Sequence, residues 1–498
     1  MKVLCSFLFY VFWDKQKSVV KNRLLYLHFQ LNRAIIYRVC VCTVFHYQAS
    51  EVIGALKRIL SALSCASALM LSGCTGVSFT VDTLLNAPKF TEEQSAIHQA
   101  LIERVGENIT LKYPKNGDYR SAFVIADIDD EPTDEALVFY EYASSSGKNG
   151  LRVNILDKDE DGEWRSVKEL AGGGTDIDRV VISSVGDSGD VDVLVGYQNL
   201  TSDEKTLEIY SYKDGEFERI ATDLYSVLEP IDINSDGSNE IITISKATDS
   251  ETGQSEVTAS LLRTQNGEIT KDAGIRMCDD TVSYVKSQAG FIEGGRRALF
   301  VDGLDQDGNL MTEIVYYRYS SLQNPMEQRP DKLVPKCIRP AGYYSTDIDG
   351  DGIIEIPTTS PMIGYENAVT EEMVYTTTWS SYHDFYDLDE EYSGYYSITD
   401  GYFFAFPKRW NSSVTVKKDS ESGELVFYKF TGDINTSSEE LMRIAVSAKN
   451  KTERYTSDGY EVVGSKGQLD YVVKLPLDKR EKLIPTVDEV KNNLYITN

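Results

Sequence analysis

Histidine is scarce in this chain, with four among 498 residues, and tryptophan is equally rare at four. Only His98 and His383 lie beyond the first eighty residues, which leaves no room for a multi-histidine metal centre. A Ser-His-Asp or Cys-His triad could draw on just one of the two. Basic residues are also in deficit, 50 Lys and Arg against 78 Asp and Glu, for a net charge of −28. A duplex-binding surface needs a basic footprint to neutralise phosphates, so the composition argues against nucleic acid as a partner. What is present is ordinary globular material, 41% hydrophobic and 26% charged, enough for two or three cores and too much for one. Tyrosine is abundant at 31, and polar aromatics with scattered glycine suit strands better than helices.

Residues 57–74 carry an address. Lys57-Arg58 precede an apolar run from Ile59 to Leu71, which ends in Leu71-Ser72-Gly73-Cys74. A basic start, an apolar stretch too short to span a bilayer and a small-residue cleavage site make an export signal. The ending resembles the lipobox of bacterial lipoproteins, which implies that Cys74 is diacylated and becomes the first mature residue. Two acyl chains anchor a protein far more firmly than one. The expected localisation is therefore the extracytoplasmic face of the cell membrane. Residues 52–73 then form the signal peptide and residues 74–90 a tether. Residues 1–51 lack the acidic character of the chain beyond Cys74 and read as an over-translated upstream segment, with Val52 as a candidate initiator. The competing reading is a short signal anchor over Val3–Trp13, broken by Asp14. Residues 1–73 hold nine basic and two acidic residues, so the mature chain keeps 41 and 76, a net of −35. Such a surface repels anionic lipid and attracts divalent cations. Cys278 and Cys337 remain as internal thiols, and spacing alone does not say whether they meet.

Past a helix expected at 91–105, capped by Thr91 and Gln94 with Ile97, Leu101 and Val105 on one face, the apolar period switches to two. An apolar strand then enters an acidic turn and a second strand succeeds it, five times over. The turns carry Asp127, Asp129 and Glu135; Asp187, Asp190 and Asp192; Asp232, Asn234, Asp236 and Glu240; Asp302, Asp305, Asp307 and Glu313; and Asp347, Asp349, Asp351 and Glu355. Hairpins such as 151–156 with 164–167 and 207–212 with 216–220 fill the intervals. About four strands per repeat predicts a β-propeller with five legible blades, or six or seven if further blades hide near 257–275 or 372–382. At these turns the sequence resembles the FG-GAP and VCBS repeats of integrin-type propellers over about residues 110–360.

In two copies, acidic or amide residues fall at positions 1, 3, 5 and 9 with Gly at 6: Asp232, Asn234, Asp236, Gly237 and Glu240, then Asp347, Asp349, Asp351, Gly352 and Glu355. Alternating oxygens around a glycine-permitted reversal suit a hard cation, which favours calcium. The resemblance to the calcium-binding hairpin loops of integrin α-chain propellers implies the same, although Glu stands where Asp is usual. The competing reading is that Asp, Asn and Gly simply make good turns. The Asp127 copy lacks the glycine, and the Asp187 and Asp305 copies read as plain turns.

Residues 384–395 are acidic and aromatic and read as a linker. Residues 396–498 read as a separate α+β domain, with strands at 414–417, 425–430, 442–448, 460–463 and 471–475 and a helix capped by Thr486 and Glu489. Its Phe-Pro-x-x-Trp opening, Phe406 to Trp410, resembles small PsbP-like domains. Tyr402, Phe403, Phe404, Phe406 and Trp410 alternate as core residues do, although they could also stack on sugars. His383 with Asp384 and Asp387 lacks a nucleophile motif nearby.

With no assembled acid–base or nucleophile set, the sequence predicts a non-enzymatic, lipid-anchored binding or scaffold module stabilised by calcium. Its partners are expected to be the membrane, through the anchor, and a protein or glycan ligand at the cell surface. The alternative is a propeller-based extracellular glycan-active enzyme using paired carboxylates. The anchor is directly testable. Mass spectrometry of membrane-extracted protein should find an acylated N-terminus at Cys74, and Cys74→Ala should abolish lipid labelling. An intact Met1 would contradict it.

Overall fold

The computed structural model describes residues 90–497 apart from 130, 144–149, 186–190, 201–203, 249–254, 266–267, 273, 384–386 and 479. The segments 1–51 and 52–73, Cys74 and the tether up to Lys89 therefore lie outside the described residues, as do Asp187, Asp190 and Asp384. The chain divides into residues 1–89 and residues 90–498, and the described residues all belong to the second unit.

The unit is mainly β, built from antiparallel sheets of four or five strands. It opens with the helix Glu92–Val105, where Thr91 Oγ1 accepts the Gln94 N–H at 3.1 Å and the Gln94 side chain accepts the Thr91 N–H at 3.2 Å. This reciprocal pair satisfies two amides that the first turn would otherwise leave open. The first sheet is laid down in chain order: Ile109–Leu111 and Phe123–Ala126 share one edge of Glu135–Tyr142, then come Leu151–Lys158 and Trp164–Ala171. The second is Asp176–Ser183, Asp192–Gln198, Lys205–Lys213 and Glu216–Tyr225. The third runs Val227–Ile231, Glu240–Thr248 and Ser255–Gln265, with Glu268–Lys271 and Ile275–Arg276 both paired to the last of these. The fourth runs Ser283–Ile292, Arg296–Leu304 and Asn309–Arg318, closed by Ser321–Gln323 and Arg339–Pro340.

These sheets stack because their middle strands are apolar on both faces. In Glu135–Tyr142, Leu137 and Phe139 pack against Val193, Val195 and Tyr210 of the second sheet. The alternate residues Ala136, Val138 and Tyr140 pack against Ile97 and Leu101 of the helix. The second sheet meets the third through Leu194, Leu207 and Ile209 against Ile241 and Leu262. The third meets the fourth through Ile242, Ile244 and Leu261 against Leu299, Val301 and Val315. Successive side chains of a strand point to opposite faces, so a strand sandwiched between two sheets must be hydrophobic throughout. Each fully buried aliphatic side chain contributes about 1.5–3 kcal/mol. A closed ring of blades, expected from the repeat, is not formed among the described residues: the helix occupies the face of the first sheet that a last blade would need. The segments near 257–275 and 372–382 hide no further blade, since they supply strands of the third and fifth sheets.

The fifth sheet corrects the expected boundary. Its order is Ile356–Pro361, Tyr375–Tyr382, Leu388–Ser397, Tyr402–Ala405 and Leu494–Ile496. The stretch read as a linker is thus largely a strand, with Asp389, Glu390 and Glu391 all exposed where the pairing register shifts at a bulge. It pairs in register with Tyr402–Ala405, from Gly394↔Ala405 to Ser397↔Tyr402. Residues 396–498 accordingly contribute two strands to a sheet begun by residues 356–397. The sixth sheet, in spatial order Val414–Lys418, Leu425–Lys429, Glu440–Ala448, Leu469–Lys474 and Glu461–Lys466, packs on the fifth. Phe404, Trp410 and Phe427 fill that interface, and Trp410 Nε1 donates to the Leu483 carbonyl at 2.7 Å, so the aromatic cluster is core. The terminal helix Val487–Asn493 buries Val490 there, behind the Thr486–Glu489 capping box.

A fragment comprising 396–498 would leave Tyr402–Ala405 without its neighbour strand and Phe404 without the Tyr395 and Met362 side of its core. It should show no cooperative melt by circular dichroism, whereas a fragment from residue 340 onward should retain more of one. A sharp transition in the short fragment would restore the boundary at 396.

Candidate cation-binding turns

One hydrogen bond recurs beneath the acidic turns. The N–H of Ile128 donates to Glu135 Oε2 at 2.8 Å, that of Ile233 to Glu240 Oε2 at 3.1 Å, and that of Ile348 to Glu355 Oε2 at 2.9 Å. The N–H of Val185 donates to Asp192 Oδ2 at 3.3 Å. In all four the carboxylate lies seven residues beyond the amide, at or just before the start of the next strand. The apolar side chains of Ile128, Val185, Ile233 and Ile348 point into the core, which fixes the amide. The carboxylates are drawn beneath the turn and are themselves buried. Asp192 was not legible as part of this pattern because Ser184 stands where the other copies have their first aspartate. The apolar residue seven positions upstream is the signal that identifies it.

The Asp347 turn gathers its oxygens. Asp347, Asp349 and Asp351 each place a carboxylate oxygen within 4.8 Å of the others. Asp347 Oδ2 accepts the Gly352 N–H at 2.9 Å, Asp349 Oδ1 accepts the Asp351 N–H at 3.1 Å, and Asp351 Oδ1 accepts the Ile353 N–H at 2.7 Å. Gly350 and Gly352 take φ of 86° and 91°, a region that side chains disfavour. Asp349 Oδ2 also accepts the Tyr392 hydroxyl at 2.6 Å. Asp127, Asp129 and Glu135 form a second such group within 4.8 Å, although that turn lacks the glycine. There Glu135 Oε1 is buried with no hydrogen-bond partner.

The Asp232 turn solves the same problem differently. Asn234 Nδ2 donates to Glu240 Oε1 at 2.7 Å and to Asp236 Oδ2 at 2.8 Å, so an amide supplies the positive group between the acids. Asp232 meanwhile accepts the Asp236 and Gly237 amides at 3.0 and 3.2 Å. Replacing Asn by Asp at this third position, as in the Asp127 and Asp347 turns, removes that donor and leaves only acceptors. Those two turns therefore fit a hard cation better than the Asp232 turn does. Asp305 is a hairpin turn, its Oδ1 accepting the Asp307 and Asn309 amides at 2.9 and 2.8 Å. Glu313 turns away from it to accept from Cys278 N–H and Asn324 Nδ2.

Burial pushes Glu135 up to about 7 and Glu355 up to about 8, with neighbouring aspartates adding to the rise against the opposing pull of the Ile128 and Ile348 amides. Burial likewise raises Glu240. Other buried acids are held by partners. For Asp178, burial acts to raise the pKa but is outweighed by Lys205, Tyr225 and Asn116, so the group sits below the usual carboxylate range. Asp302 is paired with Arg339 at 2.9 Å, both fully buried, and also accepts from Thr312 and Ser345. The Asp387 carboxylate is held by Lys332 and Lys336, which removes it from any set with His383. His98 packs against Phe90 and Phe123.

No protein-family model matches the chain, and no curated protein matches it either. Among solved structures, it is similar at 12% identity to the exotype rhamnogalacturonan lyase YesX, with a TM-score of 0.26 over 63% of this chain and 61% of that one. The rhamnogalacturonan lyase PL11 of Bacillus licheniformis gives 12% identity and a TM-score of 0.21 over 53% and 59%. The chain thus spans about three-fifths of the length of these lyases, and at such scores the likeness carries no argument about its fold or activity.

The raised acids set a pH dependence. A glutamic acid whose folded pKa exceeds its unfolded value of about 4.3 binds a proton more tightly when folded. Its contribution to stability is full below that unfolded value and is lost as pH rises through the folded pKa. For Glu135 and Glu355 the window runs from about pH 4.3 to about pH 8. In chelator, the melting temperature should fall across this window, and Glu355→Gln should flatten part of the slope. A wild-type slope of opposite sign would contradict the assignment.

Proposed function

We propose that this protein is a lipid-anchored, extracytoplasmic binding module whose stacked antiparallel sheets present a surface to a protein or glycan ligand, with calcium tying the acidic turns. The observation that carries this reading is the recurring carboxylate-to-amide bond with its converging oxygens. The buried carboxylates of Glu135, Asp192, Glu240 and Glu355 hold turns, and those of Asp178 and Asp302 are paired with cations. The calcium ligands are Asp347, Asp349 and Asp351 with Glu355 behind them, and Asp127, Asp129 and Glu135 in the first turn. At Asp232, Asp236 and Glu240 an ion would enter only if Asn234 turned its carbonyl oxygen inward. Calcium supplies a charge that lets the raised glutamates ionise, which neutral turns cannot do. Oxygen-only donors and the flexible geometry calcium accepts favour it over magnesium, which dehydrates reluctantly.

Calcium is tested on the full chain in detergent. Chelation should lower the melting temperature and calcium should restore it, magnesium much less so. At a hundred times its dissociation constant, calcium would stabilise by about 2.7 kcal/mol per site. Asp349→Ala should remove part of the response. Titration calorimetry without calcium heat, together with a melt indifferent to chelator, would return these loops to plain turns. A glycan array then tests the ligand. Turnover of a polysaccharide, lost on changing one carboxylate pair, would favour the enzymatic alternative.

A further inference from the structure

Three residues that none of the acidic turns employs meet where the fourth sheet abuts the fifth. Glu293 succeeds Ser283–Ile292 in a tight turn with Gly294 and Gly295, His383 succeeds Tyr375–Tyr382, and Asp389 is the second residue of Leu388–Ser397. The main chain holds all three. The Glu293 N–H donates to the Tyr382 carbonyl at 3.1 Å, and Glu293 and His383 form a parallel bridge. Ser381 faces Asp389 across the antiparallel pair, and the His383 N–H donates to the Asp387 carbonyl at 3.1 Å. Convergence of the side chains thus results from backbone pairing between strands and costs little further ordering.

The ligand atoms of Glu293, His383 and Asp389 lie within 4.8 Å of one another. His383 Nε2 contacts Glu293 Oε2 and stands 2.9 Å from Asp389 Oδ2. One ring nitrogen carries at most one hydrogen, so it can satisfy only one of two carboxylates. Glu293 Oε2 is buried from water, and the polar atom set against it is that same ring nitrogen. Lys332 and Lys336, which reach this corner, pair with Asp387 at 2.9 and 2.8 Å. As ligands, which bind deprotonated, two carboxylates and an imidazole together match the charge of a divalent ion. The imidazole turns the preference away from calcium toward metals that accept nitrogen.

We propose that Glu293, His383 and Asp389 bind a divalent transition-metal ion of the zinc class, joining the fourth sheet to the fifth. Three protein ligands leave a fourth position for water in a tetrahedral site. The site shares no residue with the calcium turns, so the two assignments stand or fall separately.

The full chain in detergent, stripped with chelator, is titrated with zinc against a chromophoric indicator. One zinc per chain is expected, weakened at least about tenfold by His383→Gln, Glu293→Gln or Asp389→Asn. Asp349→Ala and Cys278→Ser should leave it unchanged. Should His383→Gln fail to fold, Glu293→Gln, in a partly exposed turn, carries the same comparison. Cobalt added to the unsubstituted protein should give visible d–d absorption without a thiolate charge-transfer band. Absence of zinc binding, binding indifferent to the three substitutions, or a thiolate band would overturn the site and leave His383 as a contact of the two carboxylates alone.

Discussion

A backbone amide pinned by a carboxylate seven residues later is the contact on which the stacked sheets rest. Strands apolar on both faces can lie between two neighbours only if the turns joining them bury no open polar group. At Ile128, Val185, Ile233 and Ile348 the amide sits beside a core side chain and away from water, so its partner has to come from within. Where the acid is ionised it does this more strongly than a neutral acceptor, a bond to a charged group contributing about 1.5–3 kcal/mol. The same choice creates the next problem, because a buried acid must be protonated, paired or met by a cation.

The repeats answer that problem with different chemistry on one backbone. Asn234 meets Glu240 with an amide, and the fourth sheet dispenses with such a turn altogether. There Ser283–Ile292 returns directly through a tight turn; of the buried acids in this sheet, Asp302 is neutralised by Arg339 from a later strand, and Glu313 is held by the Cys278 amide and Asn324. Removing one member of such a fully buried pair costs several kcal/mol, since the other charge is left behind. Local solutions thus replace one another while the sheet interfaces keep the same form.

Much of this was legible in the sequence, and the failures have physical causes. Both capped helices were read from capping residues, and the hairpins read at 151–156 with 164–167 and 207–212 with 216–220 extend in the structure to 151–158 with 164–171 and 205–213 with 216–225. The strand Leu388–Ser397 was missed because its Asp389, Glu390 and Glu391 face outward and imitate a solvated linker. Closure of the ring was overestimated because a repeat reports what each unit buries and says nothing of what covers the first one. That cover is an amphipathic helix whose Ile97 and Leu101 look alike in any context. The Asp192 lock needed a register taken from Val185, and the Glu293–His383–Asp389 meeting depends on pairing between residues about ninety apart. Neither spacing announces itself along the chain.

The pairing of Leu494–Ile496 with Tyr402–Ala405 has a further consequence, for the order of assembly. Everything from 406 to 493 is an excursion that leaves the fifth sheet and comes back to it. As the chain emerges from the ribosome, the first four sheets can form one after another from neighbouring segments. The fifth must wait with an open edge until residues 494–496 arrive, some ninety residues after the strand they join. During that interval the apolar edge at Tyr402–Ala405 is open to mispairing with another chain.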